Sequence, residues 1–228
     1  MAPSASTWVI EQNFVDENIP PIKAKKLQLS GLTLTALRQY LPPPDTALPP
    51  CIGIAPGYTK TGKLCALIIV AGSNAVVMQM SGSSGGKNGE PSKGALILQE
   101  ELFTNPSCAV LAFDLAPIAL SLYNDHRIRL TMGIDIQSAL PIGESRSVIE
   151  AIKFAVGDQA EIWEENINSS FNNLIFSDDR KTIMLLVSRA WCAYYMSTLP
   201  LMENLLYCAE KINTLDNHSD QVGQYNFT

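Results

Sequence analysis

The most constraining feature of the sequence is a pair of apolar, β-rich runs that are separated by a two-residue turn. LCALIIVAG (64–72) and AVVMQM (75–80) flank Ser73 and Asn74. The first run is too short and too apolar to be a surface helix, and Ser and Asn are residues that tight turns favour. A further apolar run, CIGIA (51–55), comes before them. The pattern therefore predicts three strands with short connections, which form an antiparallel meander.

Helix and strand signals alternate after the meander. A helix is predicted to start near Ser92, a strand to cover 108–113, a helix to cover 115–125 and a strand to cover 133–140. Proline is tolerated in the first turn of a helix, where its missing N–H would have no partner within the helix. The order βββαβαβ predicts an α/β domain with a mixed sheet, in which the meander comes first and a crossover later.

The remainder of the chain is predicted to be helical. Apolar residues recur at helical spacing in three segments: 147–157, 160–176 and 179–199. Asp178 or Asp179 is a candidate N-cap for the third segment. A fourth helix is predicted after Pro200, where proline again suits a helix start.

The sequence divides into three parts. Residues 1–30 look like an irregular N-terminal arm, 31–215 form the folded domain and 216–228 are a polar, flexible tail. At the start of the domain, 31–41 have the pattern of a short amphipathic helix that ends before a proline-rich break.

Composition limits the classes of function. The chain has 228 residues, of which 46% are hydrophobic and 17% charged, as expected for a globular domain. It has no apolar run of the ~18 residues that span a membrane, so no membrane partner is expected. Its start lacks the pattern of a signal peptide, and its five cysteines are scattered. We therefore expect reduced thiols in a cytoplasmic or nuclear protein.

The charge balance argues against strong nucleic-acid binding. The formal net charge is −6, whereas nucleic-acid binders gain most of their affinity from Lys and Arg against phosphates. The nearest thing to a basic patch is 126–129, together with Lys23, Lys25 and Lys26. We interpret both groups as solvated surface, and RNA binding is expected to be weak at best.

The order of elements resembles the ribonuclease H-like fold of the DEDD 3′–5′ exonucleases, in particular the ribonuclease D-like branch. The resemblance covers roughly 31–210. GIAPGY (53–58) falls where that family has a strand ending in Gly-Phe-Asp-x-Glu-aromatic. AVLAFDLAPIAL (109–120) falls at its strand leading to an Asp at a helix start, and SRAWCAYYMSTL (188–199) falls at its helix with Tyr-Ala-x-x-Asp-Ala-Tyr.

The same resemblance implies that the catalytic residues are absent. That family holds two divalent ions with four carboxylates, and the ions activate water for phosphodiester cleavage. At the four carboxylate positions this chain has Ala55, Gly57, Ala116 and Cys192, and Ser188 stands where the family has its tyrosine. Hard cations require oxygen ligands, so the resemblance implies no metal, no cofactor and no enzymatic activity.

Neighbouring residues offer two alternatives. Asp114 and Asp135 are acids that could project toward the degenerate site, although we prefer Asp114 as the cap of the helix that begins at Leu115. Cys192 could be argued as a nucleophile, but neither His126 nor His218 lies in a segment expected near it. A buried structural cysteine is the preferred interpretation.

The expected function is that of an inactive, exonuclease-like adaptor or scaffold that binds a protein partner or a second copy of the chain. Inactive members of the family act as adaptors in RNA-silencing and RNA-processing assemblies, which is what the resemblance implies here. The alternative is an RNA-binding module that uses the old substrate cleft without cutting. An active nuclease with a displaced metal site is the least favoured reading.

Two segments carry candidate interface residues. The arm contains Trp8, Val9, Ile10 and Phe14, and the helix over 181–199 contains Trp191, Tyr194 and Tyr195. Trp191 and Tyr195 are predicted to share a helix face, with Tyr194 to one side. Large aromatic anchors supply much of the energy at protein interfaces. The opposing possibility is that the arm packs on its own domain.

Overall fold

A computed structural model describes most of the chain. It covers residues 7–10, 20–40, 51–80, 90–141, 147–157, 160, 164–172 and 174–215. Within these residues the strands are β1 (Thr7–Ile10), β2 (Ile22–Gln28), β3 (Cys51–Tyr58), β4 (Leu64–Ala71), β5 (Asn74–Gln79), β6 (Ala109–Ala112) and β7 (Gly133–Asp135). The helices are α1 (Leu34–Tyr40), α2 (Lys93–Leu98), α3 (Leu115–His126), α4 (Ile136–Ala139), α5 (Val148–Val156), α6 (Glu164–Asn172), α7 (Arg180–Ser197) and α8 (Pro200–Cys208). A 3₁₀ turn covers Leu29–Gly31, and a π-helical turn over Gln99–Phe103 continues α2.

The strands form one seven-stranded mixed sheet in the order β1-β2-β5-β4-β3-β6-β7. β3, β4 and β5 are antiparallel neighbours, so the predicted meander is confirmed. β6 lies parallel to β3 and β7 lies parallel to β6, as the predicted crossover requires. The predicted mixed α/β architecture is therefore confirmed.

β4 is buried on both of its faces. Ile68 and Val70 pack toward α7, whereas Leu67 and Ile69 pack toward α2 and α3 on the opposite side of the sheet. A strand covered on both faces has no polar alternation, which explains the continuous apolar run in the sequence. The sheet is thus the middle layer between two groups of helices.

Local caps set several helix starts. Ser92 Oγ accepts a hydrogen bond from the backbone of Ala95 at the start of α2. Asp179 caps α7, where its carboxylate accepts from the backbone of Thr182 at 2.9 Å, as one of the two predicted caps. Ser147 and Glu150 form a capping box at α5. No helix within the described residues is both long and apolar enough to cross a bilayer.

The expectation of an irregular arm is wrong for the described part of residues 1–30. β2 pairs in parallel with β5, and β1 pairs antiparallel with β2. Ile22 and Ala24 are fully buried, while Lys23 between them is exposed, so β2 alternates as a half-buried strand does. The arm continues the sheet because β5 would otherwise present unpaired backbone groups.

The predicted strand over 133–140 is also too long. β7 ends at Asp135, whose carboxylate accepts a hydrogen bond from the backbone of Gln137 at 3.0 Å and so starts α4. A short polar side chain that bonds the backbone two residues on favours a turn over a strand.

Candidate functional site

A cleft of about 400 Å³ lies where the ends of three elements meet. β3 and β6 are parallel neighbours, so their carboxyl ends share one edge of the sheet. α3 starts directly after β6, and α7 packs across β3. The cleft is lined by Pro56, Tyr58, Gly62, Asp114, Pro117, Ile118, Ser121, Leu174 and Arg189. In open α/β sheets this edge is the usual place for a ligand.

Arg189 brings a buried positive charge to the cleft. The residue is 2% exposed, and its guanidinium lies 3.5 Å from the carboxylate of Asp114. Its Nη atoms donate to the carbonyl oxygens of Phe171 and Phe113, both at 3.5 Å. Burial lowers the pKa of Arg189, and the charge of Asp114 opposes that change. Arg189 is thus a buried cation with one carboxylate beside it.

Arg189 was not among the residues singled out from the sequence, although a signal for it exists. Leu186 and Ala193 are both buried, and they lie three residues before it and four residues after it in α7. Residues at these spacings share a helix face. A charged residue on an apolar stripe therefore indicates a buried charge, which is a feature of many functional sites.

Asp114 does not act as the helix cap that the sequence suggested. It lies at the N-cap position of α3, but its side chain makes no capping hydrogen bond and its φ is 54°. Asp135 takes that role instead, since its Oδ2 accepts from the backbone N–H of Leu115 at 3.3 Å. The N–H of Asp114 donates to the side chain of Gln137 at 3.0 Å. The carboxylate of Asp114 is thereby left to face Arg189.

Asp135 is committed to the backbone. Burial raises its pKa, while hydrogen bonds from Ser138, Gln137 and Leu115 oppose that rise. These bonds place its two oxygens on the starts of α3 and α4. The side chain is not among the residues lining the cleft.

The five positions implied by the resemblance lie around the cleft but do not line it. Ala55, Ser188 and Cys192 are buried at 0%, 3% and 2% exposure. A side chain at Gly57 would meet the ring of Phe176 at 3.0 Å. Ala116 lies exposed in the first turn of α3.

α7 and Phe176 together cover the face of β3 that carries Ala55 and Gly57. A Cβ atom at Gly53 would lie 2.0 Å from the carbonyl oxygen of Ala190 and 2.6 Å from the backbone nitrogen of Tyr194. Gly53, Ala55 and Gly57 point to the same side of the strand, because side chains alternate along a strand. The face that would carry the first two carboxylates is therefore packed against α7 at Gly53 and against Phe176 at Gly57.

The residues present do not fit the pair of divalent cations that the fold family implies. Among the residues that the structure describes, Asp114 is the one carboxylate lining the cleft, and it faces the guanidinium of Arg189. The described part of the chain contains no group of three or more His, Cys, Asp or Glu side chains able to hold a metal ion. Hard cations prefer several oxygen ligands, which this cleft does not supply.

The cysteines are free thiols, and Cys192 is unsuited to nucleophilic chemistry. It is buried, and burial raises the pKa of its thiol to about 12. The thiolate is the reactive form, so a thiol with this pKa is inert at neutral pH. Its placement agrees with the structural reading made from the sequence.

The basic residues do not form one patch. His126 is buried, and its Nε2 lies 2.9 Å from the carbonyl oxygen of Leu64. Arg127 and Arg129 lie over the ring of Tyr123, at 5.4 and 5.8 Å from its centre. Tyr123, Arg127 and Arg129 line a second cleft of about 510 Å³. The lysines of β2 lie elsewhere, where Lys25 contacts Tyr40 and Lys26 pairs with Asp178.

Two of the predicted interface residues lie in the core instead. Ile10 and Trp191 are 3% and 4% exposed, so their burial leaves little surface for a partner. Trp191 stacks on Tyr195 with ring centres 4.8 Å apart, which confirms that the two share a face.

The other interface candidates differ in exposure. Val9 is 54% exposed, whereas Trp8, Tyr194 and Tyr195 are partly buried. Phe14 lies outside the described residues.

Comparisons with known proteins support the fold. No protein-family model matches the sequence, and no curated protein matches it significantly. Among solved structures, the chain is similar to the Aedes aegypti Nibbler EXO domain, with a TM-score of 0.55 and 12% identity over 89% of this chain and 93% of that one. It also matches the EXD2 exonuclease domain soaked in Mn, with a TM-score of 0.35 and 13% identity over 80% of this chain and 94% of that one. The first match, together with the sheet order, identifies the fold as that of an exonuclease domain.

Proposed function

We propose that this chain is a non-cleaving domain of exonuclease fold that acts as a protein-interaction adaptor or scaffold in an RNA-processing or RNA-silencing assembly. The observation that carries the proposal is Arg189, a buried guanidinium 3.5 Å from Asp114, which is the one carboxylate in the described lining of the cleft. Two-metal cleavage needs several carboxylates around the scissile bond. This cleft offers one acid and a cation.

Electrostatics makes the guanidinium a barrier to metal-dependent chemistry. Two like unit charges about 4 Å apart repel by roughly 4 kcal/mol at an effective dielectric constant of ~20. A divalent ion bound to Asp114 would lie beside Arg189 and carry twice that charge. The positions with Ala55, Gly57, Ala116 and Cys192 provide no compensating negative charge.

The test of inactivity is degradation of a labelled single-stranded oligonucleotide with magnesium or manganese. We expect no cleavage by the full chain. Metal-dependent cleavage that Asp114→Ala abolishes would overturn the proposal. Glu90→Ala is the matched control, since Glu90 is an exposed acid outside the cleft. Cleavage that is equal in both variants would come from a contaminating nuclease.

Support for the adaptor role comes from an apolar surface at the opposite end of the strands. A cleft of about 310 Å³ lies between the sheet and α8 and includes Leu111, Ile134 and Leu206. Tyr207 lines it and is 79% exposed. Exposed aromatic side chains beside apolar clefts are frequent anchors at protein interfaces. Trp8, Val9, Tyr194 and Tyr195 stay candidates as well, since each is exposed or only partly buried.

The adaptor role predicts self-association or a protein complex that resists salt. Sedimentation of the full chain, and its purification from its native cells at low and high salt, measure this. Tyr207→Ala should weaken the complex by about 2 kcal/mol, roughly thirtyfold in Kd. Leu120→Ala, at an exposed position of α3, is the matched control and should have no effect. A monomer that binds no protein would contradict the adaptor role.

The alternative is an RNA-binding module that does not cut. Its support is the second cleft, where Arg127 and Arg129 lie over Tyr123. Arginine beside an aromatic ring suits single-stranded nucleic acid. Fluorescence anisotropy with a single-stranded RNA should give weak binding, given the net charge of −6. Submicromolar affinity that falls steeply with salt and is lost in Arg127→Gln would favour the alternative.

A further inference from the structure

The Arg189 guanidinium is poorly satisfied for a buried charge. Its Nε has no hydrogen-bond partner among the residues that the structure describes. Its contacts with Phe171, Phe113 and Asp114 are all 3.5 Å long. Charge-assisted hydrogen bonds are normally about 2.7–2.9 Å. A buried charge costs several kcal/mol unless it is neutralised at short range, so this guanidinium has unused capacity for an anion.

The carboxylate beside it is a weak partner. The Asp114 side chain is 58% exposed, so water competes for it. Its backbone has a φ of 54°, a left-handed conformation that residues other than glycine rarely adopt. Such conformations persist where the surroundings impose them, and they cluster at ligand sites. Here Asp114 is held by its backbone bond to Gln137 rather than by the ion pair.

The cleft that opens on Arg189 contains a second donor. Ser121 donates its one hydroxyl proton to the carbonyl oxygen of Pro117 at 2.9 Å, and its Oγ also lies 3.4 Å from the Tyr58 hydroxyl. The contact between Tyr58 and Ser121 is long, so the Tyr58 O–H can turn and donate into the cleft that it lines. Tyr58 comes from β3 and Arg189 from α7, so the two donors reach the cleft from different elements. A tetrahedral oxyanion can accept from both, whereas a planar carboxylate paired to arginine lies in the guanidinium plane.

We propose that the cleft binds a tetrahedral oxyanion of the phosphate class through Arg189 and Tyr58. The anion would be held by direct contact with the chain, in a cleft where the exonuclease fold would otherwise hold cations. The anion would neutralise the positive charge of Arg189 and compete with Asp114 for the guanidinium. The inference rests on the proposed function, since it requires a cleft that does not hold divalent metals.

The test is a calorimetric titration of the full chain with inorganic phosphate at constant ionic strength, with EDTA present. EDTA removes any phosphate binding that a metal would mediate, so failure of this proposal is distinct from failure of the proposed function. We expect saturable binding at one site. Acetate at the same ionic strength should not bind. Acetate that binds as tightly as phosphate would overturn the tetrahedral assignment.

Variants assign the site. Tyr58→Phe should weaken binding about tenfold, the value of one hydrogen bond to a charged group. Asp114→Asn should tighten binding about fivefold, which corresponds to removing one unit-charge repulsion at ~4 Å in water. Arg189→Met should abolish binding, and circular dichroism should verify that it is folded. Tyr40→Phe, at a tyrosine that contacts Lys25 and lines neither cleft, is the matched control and should bind as the wild type does.

Several results would overturn the proposal. Absence of phosphate binding in both the wild type and Asp114→Asn is one, and it does not depend on the folding of Arg189→Met. Loss of binding in Arg127→Gln with retention in Tyr58→Phe would assign the anion to the second cleft. A separate titration with manganese, without EDTA, tests the premise that the cleft does not bind divalent metal ions. Manganese binding that Asp114→Asn abolishes would refute the proposed function itself.

Discussion

Gly53→Ala tests whether α7 lies directly on the face of β3 that carries Ala55 and Gly57. The new Cβ atom would lie 2.0 Å from the carbonyl oxygen of Ala190 and 2.6 Å from the backbone nitrogen of Tyr194. Distances under 3.0 Å are essentially never seen for Cβ atoms. Because both neighbours are backbone atoms, no side-chain rotation relieves the clash. The strand and the helix must separate by about 1 Å or more.

The magnitude follows from two opposing effects. Overpacking of a well-packed core typically costs about 1–3 kcal/mol, and a clash with backbone belongs at the upper end. Alanine in a strand interior gains roughly 0.5–1 kcal/mol over glycine, because glycine loses more conformational freedom on folding. We expect a net loss of about 2 kcal/mol. For a domain of this size that lowers the melting temperature by roughly 4–8 °C.

The assay is thermal unfolding followed by circular dichroism, with fluorescence of the buried Trp191 as a second probe. Gly31→Ala is the matched control, since no atom lies within 4 Å of its added Cβ. The control should melt at the wild-type temperature or slightly above it. If Gly53→Ala has the same melting temperature as the wild type, α7 does not pack closely on this face of β3. The argument that the carboxylate positions are sealed would then fail.

Three further predictions concern other parts of the chain. The pKa of Asp179 is lowered to about 2, chiefly because its carboxylate accepts a hydrogen bond from the backbone of Thr182 in the first turn of α7. The carboxylate therefore stabilises the fold at pH values above its ordinary pKa of 3.8, and this stabilisation is lost as the pH falls toward 2. Asp179→Ala should therefore melt earlier than the wild type at pH 7, and urea titrations at a series of pH values should show the difference shrink between about pH 4 and pH 2; a constant difference would refute the assignment. The exposed Cys208 should react rapidly with a thiol reagent in the native chain, whereas the buried Cys192 should not. Fast labelling that persists in Cys208→Ser and is lost in Cys192→Ser would contradict the burial of Cys192. Deletion of residues 1–18 removes β1 with the buried Ile10 and should lower the melting temperature without changing the oligomeric state; the opposite pattern would make the arm an interface.

The sequence predicted the meander and two helix caps, but it did not predict the pairing of β2 with β5. The meander was predictable because each strand is marked by its own apolar residues, and a two-residue turn forces neighbouring strands to pair. The caps at Ser92 and Asp179 were predictable for the same reason, since each bonds backbone within three residues. The pairing of β2 with β5 was not, because nothing local identifies a parallel partner some fifty residues away.

For the candidate site, too, some features follow from the sequence alone and others only from the tertiary structure. The sequence alone established that Ala55, Gly57, Ala116 and Cys192 supply no carboxylate, because ligand chemistry depends on residue identity. Only the tertiary structure decided that Ala55 and Cys192 are buried, that Phe176 packs on Gly57 and that Arg189 lines the cleft.

The cap of α3 is Asp135 rather than the expected Asp114 for a tertiary reason. Sequence adjacency favoured Asp114 as the cap of α3, yet Asp135 caps it from a neighbouring parallel strand, twenty residues away. Asp114 is then free to face Arg189, which comes from a helix seventy-five residues further along the chain. Residue identity determined which positions carry a carboxylate, whereas contacts between distant segments determined which charges meet, because burial and pairing of a charge depend on what the fold packs against it.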